Sequence, residues 1–180
     1  MTMTICKLDP IAANRDNFAP FGRLIEPDER PGRQTSFYND AVDLWDVPGM
    51  VTDREACIAV ARVRPRPRSV IWLERHFQHT QVFMPLNGAP FFMVLAPPNE
   101  ESLPDPDKVV AFAFDGTKGV MLDIGTWHEF PFAAAGDVDF AIFLREELHS
   151  DLEQIENGEA MGGDLEKRNI QTRLGLEFVI

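Results

Sequence analysis

In Val70-Ile71-Trp72-Leu73-Glu74-Arg75-His76 a carboxylate and an imidazole stand two residues apart in a run of strand character. Side chains of a strand alternate sides, so residues 70, 72, 74 and 76 share one face and Glu74 and His76 point the same way. Val70 and Trp72 lie on that face too, which marks it as interior. An ionisable pair placed there calls for a ligand, a metal ion, or each other. Its chemistry is that of a general base with a general acid, or of two ligands to a divalent ion. The plainer alternative is a Glu and a His hydrogen-bonded at a surface rim.

The residues that follow favour the first reading. Glu74-x-His76-x4-Gln81-x6-Gly88 has the spacing of the first metal-binding motif of cupins, where His-x-His, an acid and then Gly occupy these places. Glu74 stands for the first His and Gln81 for the usual Glu. An amide oxygen is a weaker ligand than a carboxylate, which leaves the metal (Zn, Ni or Mn) open. Gly88, after Pro85-Leu86-Asn87, supplies a hairpin turn. Later in the chain Gly125-Thr126-Trp127-His128 resembles the Gly-x2-His core of the second cupin motif and makes His128 the fourth candidate ligand. A His between Trp127 and Phe130 is otherwise an ordinary core residue.

The resemblance narrows further. Leu73-Glu74-Arg75-His76, then Thr80-Gln81-x-Phe83-x-Pro85-x-x-Gly88, is similar to the Glu-Arg-His, Thr-Gln and Pro-x-x-Gly signature of the ureidoglycolate lyase family. Gly119-Val120 through Trp127-His128 resembles its second block, and Phe18-Ala19-Pro20-Phe21-Gly22-Arg23-Leu24-Ile25-Glu26 resembles its opening. The resemblance implies a homodimeric, cupin-like β-barrel that cleaves ureidoglycolate to glyoxylate and urea in allantoin breakdown. Such a carbon–nitrogen lyase needs a base, an acid and a carboxylate clamp. Glu74 is the expected base, its proton affinity raised by burial, with His76 and His128 as acid or as fellow ligands of a divalent metal. Arg62 aligns with an Arg of the family and is the expected clamp, its planar fork suiting a carboxylate. Gln81 and Trp127 complete the expected substrate contacts. Arg64, Arg66 and Arg68 read as a solvated basic loop.

The chain departs from the family at Tyr38 to Asp46, at Leu122 and Asp123, and at Glu129. If the replaced residues read the ureido end of the substrate, a related enzyme acting on another small hydroxy, amino or sugar acid is the alternative. A non-catalytic carboxylate sensor is a third reading. Retention of Glu74 facing His76 argues against it.

The elements that position these residues are mostly strands. Apolar or alternating runs at 57–63, 69–76, 81–86, 91–96, 109–114, 119–124, 126–132 and 138–144 are separated by Pro, Gly, Asn and Asp, a cadence of all-β proteins. The absence of alternating helical periods favours a barrel or sandwich over a parallel sheet. Asp9-Pro10 predicts a helix start running to Phe18, Arg23–Glu26 a strand, and Ser36–Tyr38 a short strand within a loop. Leu148, Leu152 and Ile155 predict a surface helix over 146–155. Leu174–Ile180 predicts a final strand, either added to this barrel or laid over a partner as an arm, its apolar edge favouring a dimer.

A chain of 180 residues with 44% apolar residues and 14 Phe supports one domain, 1–180, with a real core. The net charge of −12 argues against nucleic acid as a partner while leaving a small anionic substrate open to a local Arg. Two distant cysteines, no leader and no long apolar run predict a cytoplasmic protein with reduced thiols and no membrane partner.

Overall fold

The computed structural model describes residues 3–34, 37, 41–146, 155–156 and 158–180. It is mainly β. The predicted strands appear as Ala56–Val63, Gln81–Pro85, Phe91–Ala96, Val110–Phe114, Gly119–Leu122 and Val138–Arg145. Two predicted runs are interrupted. The first breaks at Ile71 because Ser69–Val70 pairs with the C-terminal strand while Trp72–His76 joins another sheet. The second breaks before Phe132 at Pro131, which has no N–H to give a ladder.

Two sheets face each other. The larger runs Ile155–Glu156, Glu159–Met161, Leu165–Asn169, Trp72–His76, Trp127–His128, Phe91–Ala96, Val110–Phe114 and Ile11–Ala12 in spatial order. The smaller runs Gly22–Ile25, Gly119–Leu122, Gln81–Pro85, Val138–Arg145 and Ala56–Val63. Their inner faces meet in a core where Phe91, Met93, Leu95, Phe112 and Phe114 of one pack on Phe83, Val120, Phe140 and Ile142 of the other. Phe91 stacks on Phe114 with centroids 4.6 Å apart and meets Phe140 edge-on at 4.9 Å, geometries that favour aromatic pairs. A second cluster on the outer side of the larger sheet holds Leu73, Val94, Trp127, Phe132 and Phe178.

The N-terminal helix is shorter than the sequence predicts. Asn14, not Asp9, is its cap: Asn14 Oδ1 accepts the N–H of Asp16 and Asn17, and Asn17 Oδ1 accepts the N–H of Asn14. This reciprocal box confines the helix to Arg15–Phe18 and leaves Ile11–Ala12 extended, paired parallel to Phe112–Ala113. Gly22 opens the next strand at φ +151, with a Cβ there falling 2.0 Å from the Met121 carbonyl oxygen, so only glycine fits. The C-terminal strand, Leu176–Val179, belongs to its own chain, between Thr4–Lys7 and Ser69–Val70, with Phe178 buried. That removes the exposed edge from which a dimer was expected. The helix predicted over 146–155 and the strand at 36–38 fall largely outside the described residues. Among the described residues no helix is long and apolar enough to cross a membrane.

Candidate functional site

Strand alternation places the two halves of the cupin-like motif as expected. Glu74 and His76 project to the inner side of the larger sheet, and His128 comes from the adjacent strand in register with Glu74. His128 Nε2 lies 3.7 Å from Glu74 Oε1, and the His76 and His128 ring centroids are 5.6 Å apart. Gln81 and Glu74 line one pocket of about 460 Å³. Its walls are apolar: Ala59, Ala61, Phe130, Ile142, Leu144 and Leu165. The two imidazoles are buried behind Glu74.

Three buried polar atoms here meet no protein partner among the described residues: His76 Nε2, His128 Nε2 and Gln81 Oε1. Buried polar groups are nearly always paired, so three orphans beside one carboxylate mark a place meant for something else. Both rings have their other nitrogen engaged. His128 Nδ1 donates to the Thr126 carbonyl at 3.0 Å and His76 Nδ1 meets Asp164 Oδ2 at 3.1 Å, which leaves a lone pair on each Nε2. Donor atoms of Glu74, His76 and His128 all lie within 4.8 Å of one another. A divalent ion with bonds of about 2.0–2.2 Å spans the 3.7 Å between His128 and Glu74, so this donor set fits such an ion. Gln81 lines the adjoining pocket wall.

The electrostatics are set by a residue the sequence reading missed. Lys167, on the Leu165–Asn169 strand and in register with Glu74, places Nζ 2.9 Å from Glu74 Oε2. Burial pushes the Glu74 carboxyl up, but the neighbouring His128 and Lys167 outweigh it and the net shift is downward. Glu74 is therefore charged at neutral pH, contrary to the expectation of a carboxyl made basic by burial. Burial lowers His128 to about 4, only partly offset by Glu74, so at neutral pH the ring is uncharged and Lys167 carries the counter-charge. Burial raises the carboxyl of Glu129, which pairs with Arg66 at 3.4 Å.

Two expected substrate contacts lie elsewhere. Arg62 forks onto Asp139 through Nε at 2.7 Å and Nη2 at 2.8 Å, and strand alternation turns it away from Ala59 and Ala61, which face the pocket. Trp127 points to the opposite side of the sheet from His128, donating to Asn99 Oδ1 under the Arg75 guanidinium. Arg75 is itself a structural pin, buried and bound to Glu166, Asn99 and Glu101. Of the departures from the family pattern, Leu122 is packed in the core and Asp123 is bound to Arg23, so neither lines the pocket.

A second buried group adjoins the first: His76, His79 and Asp164, with Arg145 Nη1 3.3 Å from Asp164 Oδ2 and Arg145 Nε 3.0 Å from Asp53. His79, Asp164, Arg145 and Lys167 were not legible as site residues. The signal lies in cross-strand register, where Lys167 faces Glu74 and Glu166 faces Arg75.

Comparison with known proteins shows the family to which the chain belongs. The family model described as ureidoglycolate lyase matches residues 4–162. This chain belongs to the ureidoglycolate lyase family. It is 33% identical to the ureidoglycolate lyase of Azotobacter vinelandii over 150 residues, covering 79% of this chain and 86% of that one. It is also 33% identical to the ureidoglycolate lyase of Burkholderia mallei, covering 79% and 84%. Among solved structures, RmlC from Streptococcus suis in complex with dTDP-D-xylose is similar over 52% of this chain and 45% of that one, with TM-score 0.37 and 10% identity. Lys167 and Asp164 lie beyond the residues that the family model matches.

Proposed function

We propose that this member of the ureidoglycolate lyase family splits ureidoglycolate into glyoxylate and urea, a carbon–nitrogen lyase reaction of the amidine-lyase type. The observation that carries the reading is the set of three orphaned polar atoms, two imidazole nitrogens and one amide oxygen, around a charged carboxylate in a small, apolar-walled pocket. The substrate carries a carboxylate, a hydroxyl on the carbon bonded to nitrogen, and a ureido group rich in N–H donors. Lys167 is the one cation lining the pocket among the described residues and holds the carboxylate. Gln81 Oε1, lacking a partner, accepts from the ureido N–H. Glu74 takes the hydroxyl proton as the carbonyl of glyoxylate forms and the carbon–nitrogen bond breaks, and it returns that proton to the departing urea nitrogen.

Glu74, His76 and His128 are also the residues that would hold a divalent ion of the Zn, Ni or Mn class, with Gln81 in the adjoining pocket wall. Such an ion supplies Lewis acidity toward the substrate hydroxyl.

The reading includes one catalytic domain over residues 1–180, a cytoplasmic setting in allantoin breakdown, and a homodimer. Ile58 and Val60, exposed on the edge strand Ala56–Val63, support a partner on that face. Of the departures at Leu122, Asp123 and Glu129, the first two lie away from the pocket, and Glu129, next to pocket-lining Phe130 and coupled to Glu74 and Lys167, is the one that bears on substrate choice. The test is metal content of the purified protein together with glyoxylate release from ureidoglycolate. Stoichiometric glyoxylate and urea support the reading, and no release in the presence of added Zn, Ni or Mn refutes it.

A further inference from the structure

Asp164 lies behind His76, 1% exposed, immediately before the Leu165–Asn169 strand that brings Lys167 to Glu74. Its Oδ1 accepts the backbone N–H of Gln78 at 2.8 Å. Its Oδ2 is 3.1 Å from His76 Nδ1, 3.1 Å from His79 Nδ1 and 3.3 Å from Arg145 Nη1. An ionised carboxylate only accepts, so a ring nitrogen held against it carries the hydrogen. The hydrogen of His76 then sits on Nδ1, and the lone pair of the neutral ring sits on Nε2. Nε2 is the orphaned nitrogen that His76 contributes beside Glu74 and His128.

We propose that Asp164 is a positioning residue of this site, locking His76 in the Nδ1–H tautomer so that Nε2 presents its lone pair to the Glu74–His128 cluster. The inference rests on reading that cluster as the centre of the reaction. Several features select a carboxylate. Arg145 places a positive charge beside the buried carboxylate, which an amide would not need. The Gln78 N–H occupies one oxygen and orients the other toward the imidazoles. The His79 ring lies against His76 at 4.3 Å between centroids and restrains its rotation.

An amide in place of the carboxylate cannot satisfy these neighbours. With its oxygen kept on the Gln78 N–H, the NH2 of Asn faces His76 and Arg145, and the imidazole must turn a lone pair toward it. The hydrogen of His76 then moves to Nε2, where the lone pair is needed. With the amide turned over, the NH2 meets the Gln78 N–H and leaves that donor buried and unpaired. Loss of an outer carboxylate that orients a site histidine typically costs about 10- to 100-fold in activity or metal affinity.

The test uses the full chain with 15N-labelled histidine, treated with chelator, and long-range imidazole 1H–15N correlation. With only 4 His, a His76→Gln spectrum assigns the ring. Wild type should show His76 as Nδ1–H, and His79→Gln should keep that tautomer because the Asp164 contact remains. Asp164→Asn should show Nε2–H, with kcat for glyoxylate release down about 10- to 100-fold and KM within about threefold. An Asp164→Asn protein that keeps the Nδ1–H tautomer and wild-type kcat overturns the proposal. If that variant does not fold, the wild-type spectrum decides, since Nε2–H on His76 there overturns it outright. Failure of the lyase reading is separable: wild type would then release no glyoxylate while the tautomer assignment stands.

Discussion

Replacing Lys167 with Met keeps most of the side-chain stem and removes the cation from the pocket. Lys167 Nζ stands 2.9 Å from Glu74 Oε2, a separation at which two unit charges interact by roughly 6 kcal/mol at an effective dielectric of about 20, before desolvation is counted. The Lys167 side chain is 37% exposed, so solvent takes back much of this. What matters for turnover is the contact with the substrate carboxylate. A charge-assisted hydrogen bond contributes about 1.5–3 kcal/mol net, so KM should rise roughly 10- to 150-fold. The carboxylate is a bystander to bond breaking, held equally before and during the reaction, so its loss falls on KM, while the lost counter-charge on Glu74 moves the acid limb of the kcat profile to higher pH. The assay is glyoxylate release across a wide range of ureidoglycolate concentration, with Arg62→Ala measured alongside. Arg62 is engaged with Asp139 outside the pocket, so its removal should leave KM within about twofold. A high KM in Arg62→Ala with a normal KM in Lys167→Met would refute the reasoning and return the clamp to Arg62.

Further outcomes follow from the same geometry. Glu74→Gln should lower kcat by about 10²- to 10⁴-fold with the fold intact by circular dichroism, and a variant keeping more than about a tenth of the wild-type rate would remove Glu74 as the base. Calorimetric titration of chelator-treated protein with Zn, Mn or Ni should show one ion per Glu74–His76–His128 cluster, and His128→Gln should abolish the heat; wild-type protein giving none would exclude the metal. Glu159, bound by Arg173, Arg168 and the Asn169 N–H, is lowered from 4.5 to about 2, chiefly by Arg173. A depressed carboxyl stabilises the fold above its unfolded value and loses that stabilisation as pH falls from about 4.5 to about 2. Glu159→Gln should therefore cost about 1–2 kcal/mol at pH 7, discounted for the half-exposed Arg173, and nothing near pH 2 by urea unfolding. An equal cost at both pH values would place the effect in packing instead. Light scattering should give twice the chain mass at micromolar concentration, and a single-chain mass would remove the dimer.

Much of the inner half of the site was legible because one rule, strand alternation, acts locally. It turns Glu74 and His76 to the same side, and it also turns Trp127 away from His128, a consequence that motif spacing alone did not reveal. Arg62 failed for the same reason: alternation with Ala59 and Ala61 sends it outward, while alignment to a family position says nothing of direction. At the N-terminus two local rules competed. Asp9-Pro10 is a good helix start, but the reciprocal Asn14–Asn17 box satisfies more backbone donors and won. The charge state of Glu74 was misjudged because burial was the only influence visible in the sequence. Lys167, 93 residues away, joins His128 in reversing it. The final strand was legible as a strand, but not whose sheet it joins, since an alternating edge satisfies either choice.

The segment that faces the Glu-Arg-His motif answers it partner for partner: Lys167 to Glu74, Glu166 to Arg75, Asp164 to His76. Closing a loop of that size costs roughly 4 kcal/mol of chain entropy beyond a constant, so these contacts form only when most of the barrel is in place to support them. A chain growing from the ribosome therefore carries its motif histidine and glutamate long before it carries the groups that arm them. Until the Leu165–Asn169 strand emerges and docks, Glu74 has no lysine counter-charge and His76 has no carboxylate to choose its tautomer.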